Sequence, residues 1–352
     1  MERPCSVLAT ARPKPATTRL GTDHTAGMSI DEPRYDDLPI APGLPAGSSW
    51  GVWGDDDGLG CLNRLRPERV AAAAAGVRTG ELFTVGLDLA EPDPPLFGGR
   101  SPLAHTVIGP SGGLGHDDVI DGWNTQTSTQ WDVFRHIRNV AHGYYNGLPG
   151  ERLGIDRWAR RGLAGRAVLA DVARWRNAPG RPLHPGSGEA VEVAEVAAAL
   201  EVASVEVRPG DLLLVRTGWL TWWRSLAHDD QVEAAKDVRA CGLAAEEETA
   251  RWLWYQGFAA VAADNPALEA WPPPDLAGAR RREVVADPAG AAGAFLHTSL
   301  LALLGMPIGE LWDLAAFAAH CAEDNRADAF FTSSPLALAG GVASPPNVVL
   351  VC

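Results

Sequence analysis

The sequence contains no long apolar run, and that sets its first limit. No stretch approaches the ~20 consecutive apolar residues of a membrane-spanning helix, so a membrane protein is not expected. The opening segment "MERPCSVLATARPKPATTRLGTDHTAG" also lacks the continuous apolar centre of a signal peptide. Cysteine is scarce: Cys5, Cys61, Cys241, Cys321 and Cys352 are scattered, with no C-x-x-C pair. This argues against a disulfide framework or a thiolate zinc site and fits a reducing cytoplasm. Basic charge is in deficit, with 30 Lys and Arg against 44 Asp and Glu and a formal net charge of −14. The acids are spread along the chain rather than run in a tail, which argues against nucleic acid or an anionic membrane as the main partner. No P-loop or G-x-G-x-x-G follows a strand-like run, and no internal repeat is found. Ser344 in "GGVASPPN" has no nucleophile elbow around it.

What is present is an ordinary globular composition. The 352 residues are 46% hydrophobic and 21% charged, enough for a large core in one α/β domain with an arm. Residues 1–27 are rich in Arg, Thr and Pro and precede Met28; they are expected to be a disordered, dispensable extension. The single domain is then 28–352, with an arm over about 28–65. The Gly/Pro/Asp-rich "SSWGVWGDDDGLG" predicts tight turns there, and its tryptophans suit an intersubunit contact. "RPERVAAAAAG" predicts a short helix with Pro67 in its first turn and Gly76 at its end. "ELFTVGLDL" alternates like a strand.

Three apolar, β-branched runs, "RAVLADV", "DLLLVRTGW" and "FAAVAAD", read as buried strands. Helical patterns such as "EVAEVAAALEVA" and "LAAEEETARWLWYQ" lie between them, which predicts an α/β domain. "LHTSLLALLGMPIGELWDLAAFAAHCAED" reads as mostly helical, before strand-like "AFFTSSPLALAGG" and "NVVLVC".

The chemistry concentrates in "QTSTQWDVFRH", residues 126–136. On a helix, Asp132 and His136 would share a face, as would Gln126 and Gln130. Thr129 followed by Asp132 approximates a capping box, so a plain helix start is one reading and a site the other. The flanking polar and aromatic residues, including Trp123, Trp131, His142, Tyr144, Tyr145 and Asn146, favour a pocket wall. Asp264 ends a strand-like run beside Asn265 and Glu269, where either a site residue or a turn is expected. His105 and His116 border Gly-rich loops and read as surface residues, and Arg216 is expected to pair with a buried acid.

Segment 126–136 resembles the signature H-x-G-T-H-x-D-x-x-x-H of the cyclase family of metal-dependent hydrolases, which includes kynurenine formamidase and isatin hydrolase. Thr129, Asp132 and His136 match it, and Gln126 and Gln130 stand where the family has histidines. "SSWGVWGDDDGLGCLNRL", "RPGDLLLVRTGW", "LHTSLLALLGMPIGELWDL" and "GGVASPPNVVLV" extend the resemblance from about residue 40 onward. It implies a swivelling β/β/α-type fold with a central mixed sheet and flanking helices, and a homodimer or larger homo-oligomer. It also implies Asp132, His297 and Glu310 as metal ligands and His136 as general base; the polar and aromatic surroundings and the strand end at Asp264 put Gln126, Gln130, Trp131, Tyr145 and Asp264 against the substrate. Glutamine is a weaker ligand than imidazole for zinc and similar ions, so the expected cofactor is either none or one divalent ion, zinc or manganese.

Three functions follow. The first is an enzyme that opens or closes a cyclic amide, imide or lactone with His136 and Asp132. The second is a metal-free cyclase, dehydratase or isomerase of specialised metabolism. The third is a non-catalytic small-molecule binder. The 13 tryptophans point to a flat or aromatic ligand or to ordinary packing.

Overall fold

The computed structural model describes residues 32–109, 113–178, 180–273 and 295–352; the expected extension, residues 1–27, lies outside them. Helix α1 (Pro67–Ala74) opens with its proline in the first turn, where a missing N–H costs no hydrogen bond. Strand β1 (Leu82–Thr84) follows, then a hairpin of β2 (Ala104–Ile108) and β3 (Asp117–Asp121), then β4 (Gln130–Asp132). Helix α2 (Asp156–Arg161) leads into the long strand β5 (Leu163–Asp171). The Asp171 carboxylate accepts from the Arg174 amide and starts α3 (Val172–Asn177). After β6 (Ala190–Val191), a reciprocal Glu192–Glu195 capping box starts α4 (Val193–Val202).

Strand β7 (Leu212–Arg216), helices α5 (Trp219–Ser225) and α6 (His228–Lys236), and strand β8 (Gly242–Leu243) come next. Then come α7 (Glu247–Tyr255) and β9 (Ala260–Ala263). The last part holds a π-helical segment (Thr298–Leu304), β10 (Ile308–Glu310), α8 (Ala315–Asp324), β11 (Asp328–Ser333), β12 (Ala343–Ser344) and β13 (Val348–Val351).

Nine strands form one mixed sheet in the order β1-β13-β11-β5-β7-β9-β10-β4-β12. Its centre, β5-β7-β9-β10, is parallel, and antiparallel strands extend both sides. Helices cover the parallel centre, so its strands are buried on both faces and need continuous apolar sequence. That is why "DLLLVRTGW" and "FAAVAAD" read correctly: Leu212, Leu213, Leu214, Val215, Val261, Ala262 and Ala263 are fully buried. The fold is therefore the expected α/β arrangement of a central mixed sheet and flanking helices. Among the described cysteines, Cys61, Cys241, Cys321 and Cys352 are free and buried.

Two local expectations are corrected and a third is refined. The arm does not present Trp50 to a partner. Trp50 is buried within its own chain and donates its indole N–H to the Ala302 carbonyl at 2.8 Å. The segment 296–324 is mostly helical, as expected, but its "MPIGE" interrupts the helices with β10, which pairs with β9 and β4. No helix begins at Thr129. Gln130–Asp132 is a strand held between β10 and β12, so its backbone groups pair across the sheet. The Thr129 hydroxyl takes the Leu87 amide at 2.9 Å and donates to the Leu311 carbonyl at 2.6 Å, instead of capping anything.

Candidate active site

Because β4 is a strand, its side chains alternate between faces. Gln130 and Asp132 share one face; Trp131 takes the other. Gln130 lies directly opposite Glu310, and Asp132 opposite Ile308. The Gln130 amide donates to Glu310 Oε2 at 2.5 Å and to Asp132 Oδ2 at 3.2 Å. Glu310 Oε1 faces His297 Nε2 at 3.1 Å, and His297 Nδ1 faces Glu269 Oε2 at 2.7 Å. His297 sits where the chain enters the π-helical segment, a backbone irregularity that recurs at functional sites. His136 lies in the turn after β4, its amide bonded to the Val133 carbonyl at 2.8 Å. Its Nδ1 is 2.9 Å from the Gln126 amide nitrogen, and its ring centroid is 6.2 Å from that of His297.

The structure thus brings together Gln126, Gln130, Asp132, His136, His297 and Glu310. It adds Glu269, which the sequence marks only as a neighbour of Asp264. It also adds Arg100, which donates to the Gln126 carbonyl and lies over the Phe97 ring at 5.0 Å. Four of these residues, Arg100, His136, His297 and Glu310, line the polar side of a cavity of about 560 Å³, and Gln130, Asp132 and Glu269 lie buried behind them. Phe97, Trp271 and Phe295 form an aromatic wall, with Trp271 5.2 Å from Phe97 and 5.8 Å from Phe295. No local sequence signal marked these three, because they lie far apart in the chain. A larger groove of about 840 Å³ beside α3 and α4 has no histidine and a single carboxylate in its lining.

Three residues expected against the substrate lie elsewhere, and those expectations are corrected. Trp131 packs in the core, 4.7 Å from Trp312 and 6.2 Å from Trp158, and donates to the Ser333 hydroxyl at 3.0 Å. Tyr145 is buried against Phe134, and its hydroxyl donates to Asp57 at 3.1 Å. Gly305, at φ +58°, presses so close to that ring that a Cβ there would lie 2.5 Å from it. Asp264 accepts from the Thr217 amide, the Thr217 hydroxyl and the Gly218 amide, at 2.7, 2.8 and 2.8 Å. It fixes the turn into α5. Arg216 pairs with an acid as expected, Asp171 at 3.0 Å, though that acid is partly exposed rather than buried.

Burial shapes the electrostatics. Desolvation pushes the Asp132 carboxyl up to about 6, against the pull of His136. Desolvation also lowers His136, which is therefore a neutral imidazole at pH 7. Burial alone would lower His297 too, but the carboxylates of Glu269 and Glu310 outweigh it and hold the ring well above its ordinary range. The free atoms are telling: Asp132 Oδ1 and Gln130 Oε1 are buried without a hydrogen-bond partner among the described residues. Asp132, His136 and His297 also form a cluster whose potential ligand atoms lie within 4.8 Å of one another.

A buried carboxylate with a raised pKa beside a neutral histidine that lines an aromatic cavity is an arrangement suited to acid–base chemistry. The chain belongs to the cyclase family: the family's sequence model, described as a putative cyclase, matches residues 77–270, more than half of the chain. It is similar to a solved structure described as a novel cyclase, with 32% identity and a TM-score of 0.72 over 87% of this chain and 99% of that one. It shares its fold with isatin hydrolase A from Ralstonia solanacearum, at 18% identity and TM-score 0.52 over 81% of this chain and 97% of that one. An isatin hydrolase bound to the product analogue thioisatinate is similar at 15% identity and TM-score 0.51, covering 77% and 92% of the two chains. No curated protein sequence matches the chain. Among the described residues no helix is long and apolar enough to cross a membrane.

Proposed function

We propose that this enzyme opens or closes the ring of a small, planar cyclic amide, imide or lactone, with Asp132 and His136 handling the proton. The observation that carries the reading is the meeting of these two residues beside the cavity walled by Phe97, Trp271 and Phe295. An amide N–H donates, so the Gln126 amide nitrogen beside His136 Nδ1 makes that nitrogen the acceptor. The neutral ring then carries its proton on Nε2 and acts as a donor. Asp132, with its free Oδ1 and a pKa near the working pH, is the base.

In the ring-opening direction, Asp132 takes a proton from an attacking water while His136 Nε2–H binds the carbonyl oxygen. Collapse of the tetrahedral intermediate breaks the ring C–N or C–O bond, and the proton held by Asp132 passes to the leaving nitrogen or oxygen. Ring closure runs the same steps in reverse. The aromatic wall stacks a planar ring, and Arg100 offers positive charge to a carboxylate product. That isatin hydrolases share the fold, one of them bound to thioisatinate, supports an aromatic ring substrate.

The proposal includes a homo-oligomer and a cytoplasmic enzyme. The β2–β3 hairpin exposes Val107, Ile108 and Ile120, with Leu114 at its tip, and a two-stranded hairpin alone is marginal in water. Light scattering of the purified chain tests the first point. The test of function is turnover of isatin, cyclic imides, aromatic lactones and their ring-opened acids, followed by ultraviolet absorbance and chromatography. Conversion lost in Asp132→Asn supports the reading; no conversion of any of them overturns it.

A further inference from the structure

The side chains that could bind a cation are largely engaged with one another, the N–H groups of His297 and Gln130 against the carboxylates of Glu269, Glu310 and Asp132. We infer that this centre is metal-free, with the Gln130 amide taking the place of an ion between the Asp132 and Glu310 carboxylates. Proximity alone would suggest otherwise, since Asp132, His136 and His297 lie as close together as metal ligands do. Lone pairs decide against it.

Zinc and manganese sites need imidazole nitrogens with a free lone pair, or several oxygens. His297 has neither nitrogen free. Nδ1 faces Glu269 at 2.7 Å and Nε2 faces Glu310 at 3.1 Å, so each nitrogen carries a proton aimed at a carboxylate. His136 accepts the Gln126 amide at Nδ1, which leaves Nε2 protonated. Gln130 points both amide protons into the site, one at each carboxylate. A cation there would face N–H groups from three side chains. The buried acceptors of the site without a partner among the described residues, Asp132 Oδ1, Gln130 Oε1 and Glu269 Oε1, are three, and Gln126 Oε1 would add a fourth, against the ~6 oxygens that a hard, oxygen-seeking ion takes. Glu269 and Glu310 are committed to holding His297, and Glu310 also takes the Gln130 amide that reaches Asp132. The two glutamines therefore do positive work: one replaces a cation as the bridge between carboxylates, the other fixes the tautomer of His136.

The test does not depend on the substrate. The full chain is purified from cells supplied with zinc and manganese, dialysed, and analysed by elemental mass spectrometry, with melting temperature read before and after a chelator. Metal far below one equivalent and an unchanged melting temperature are expected. The Gln126→His/Gln130→His double variant is expected to gain about one equivalent and to melt higher with zinc, because an ion that binds only the native state stabilises it. About one equivalent retained by the unaltered chain, or a melting temperature lowered by the chelator, overturns the inference. A folded double variant that takes up no metal overturns the role given to the glutamines. The measurement on the unaltered chain decides the main point even where the double variant does not fold.

Discussion

Gln130 and Glu310 face each other across the β4–β10 ladder, and the Gln130 amide donates to the Glu310 carboxylate at 2.5 Å while also reaching Asp132 at 3.2 Å. One neutral side chain thus keeps two buried acids apart. Gln130→Leu removes both hydrogen bonds and leaves the carboxylates facing each other. The expected cost is roughly 1–3 kcal/mol of stability. Losing a donor to the charged form also raises the Asp132 pKa further. The rising limb of the pH–rate profile should move to higher pH, and a profile unchanged from the parent would refute the coupling.

Asp132 is costly to the fold at neutral pH. Its native carboxyl titrates at about 6 rather than the ordinary 3.8. Its contribution therefore favours the native state below pH ~4 and is lost as pH rises through about 6. The difference is on the order of 3 kcal/mol at neutral pH. Asp132→Asn should abolish turnover yet raise the melting temperature by several degrees at pH 7.5, with little gain near pH 4. Equal melting curves for both proteins at pH 7.5 would contradict the burial argument.

His136 and Asp132 should separate in a pH profile. His136→Ala is expected to lower kcat by roughly 10²–10⁴. The limb that rises with pH near 6 should survive in that variant, because it belongs to the base, Asp132. Disappearance of that limb in His136→Ala would instead make the histidine the base, and full activity would remove His136 from the chemistry altogether.

His297 is held as a cation between Glu269 and Glu310. A histidine raised in the native state stabilises fully below its unfolded pKa near 6.5, and the gain disappears only as pH climbs through the raised value. His297→Ala strips two buried carboxylates of their partner, and breaking such a pair costs about 3–5 kcal/mol. The melting temperature should fall markedly at neutral pH, with a smaller loss in the variant that also carries Glu269→Gln. A loss unaffected by Glu269→Gln would show that the two residues are not coupled.

Much of this was legible in the chain. Continuous apolar runs identified β5, β7 and β9, because a strand covered by helices on both sides needs no polar face. The motif around Asp132 and His136, with the late His297 and Glu310, marked residues that do converge. Local signals failed where the sheet overruled them. Thr129 and Asp132 spell a helix start, yet β10 and β12 offer this backbone partners on both sides.

By itself the sequence determined which chemical groups are available: the carboxylates of Asp132 and Glu310, two histidines, and the amides of Gln126 and Gln130. Side-chain chemistry and apolar periodicity are local, so they can be read from neighbours in the chain. Only the tertiary structure decided how those groups are used. It turned Trp131, Tyr145 and Asp264 into supports, brought Glu269 to His297 and closed an aromatic wall from Phe97, Trp271 and Phe295. Which proton faces which lone pair depends on contacts such as Gln130 with Glu310, 180 residues apart. No local pattern encodes a pairing at that separation; the register of β4 on β10 does.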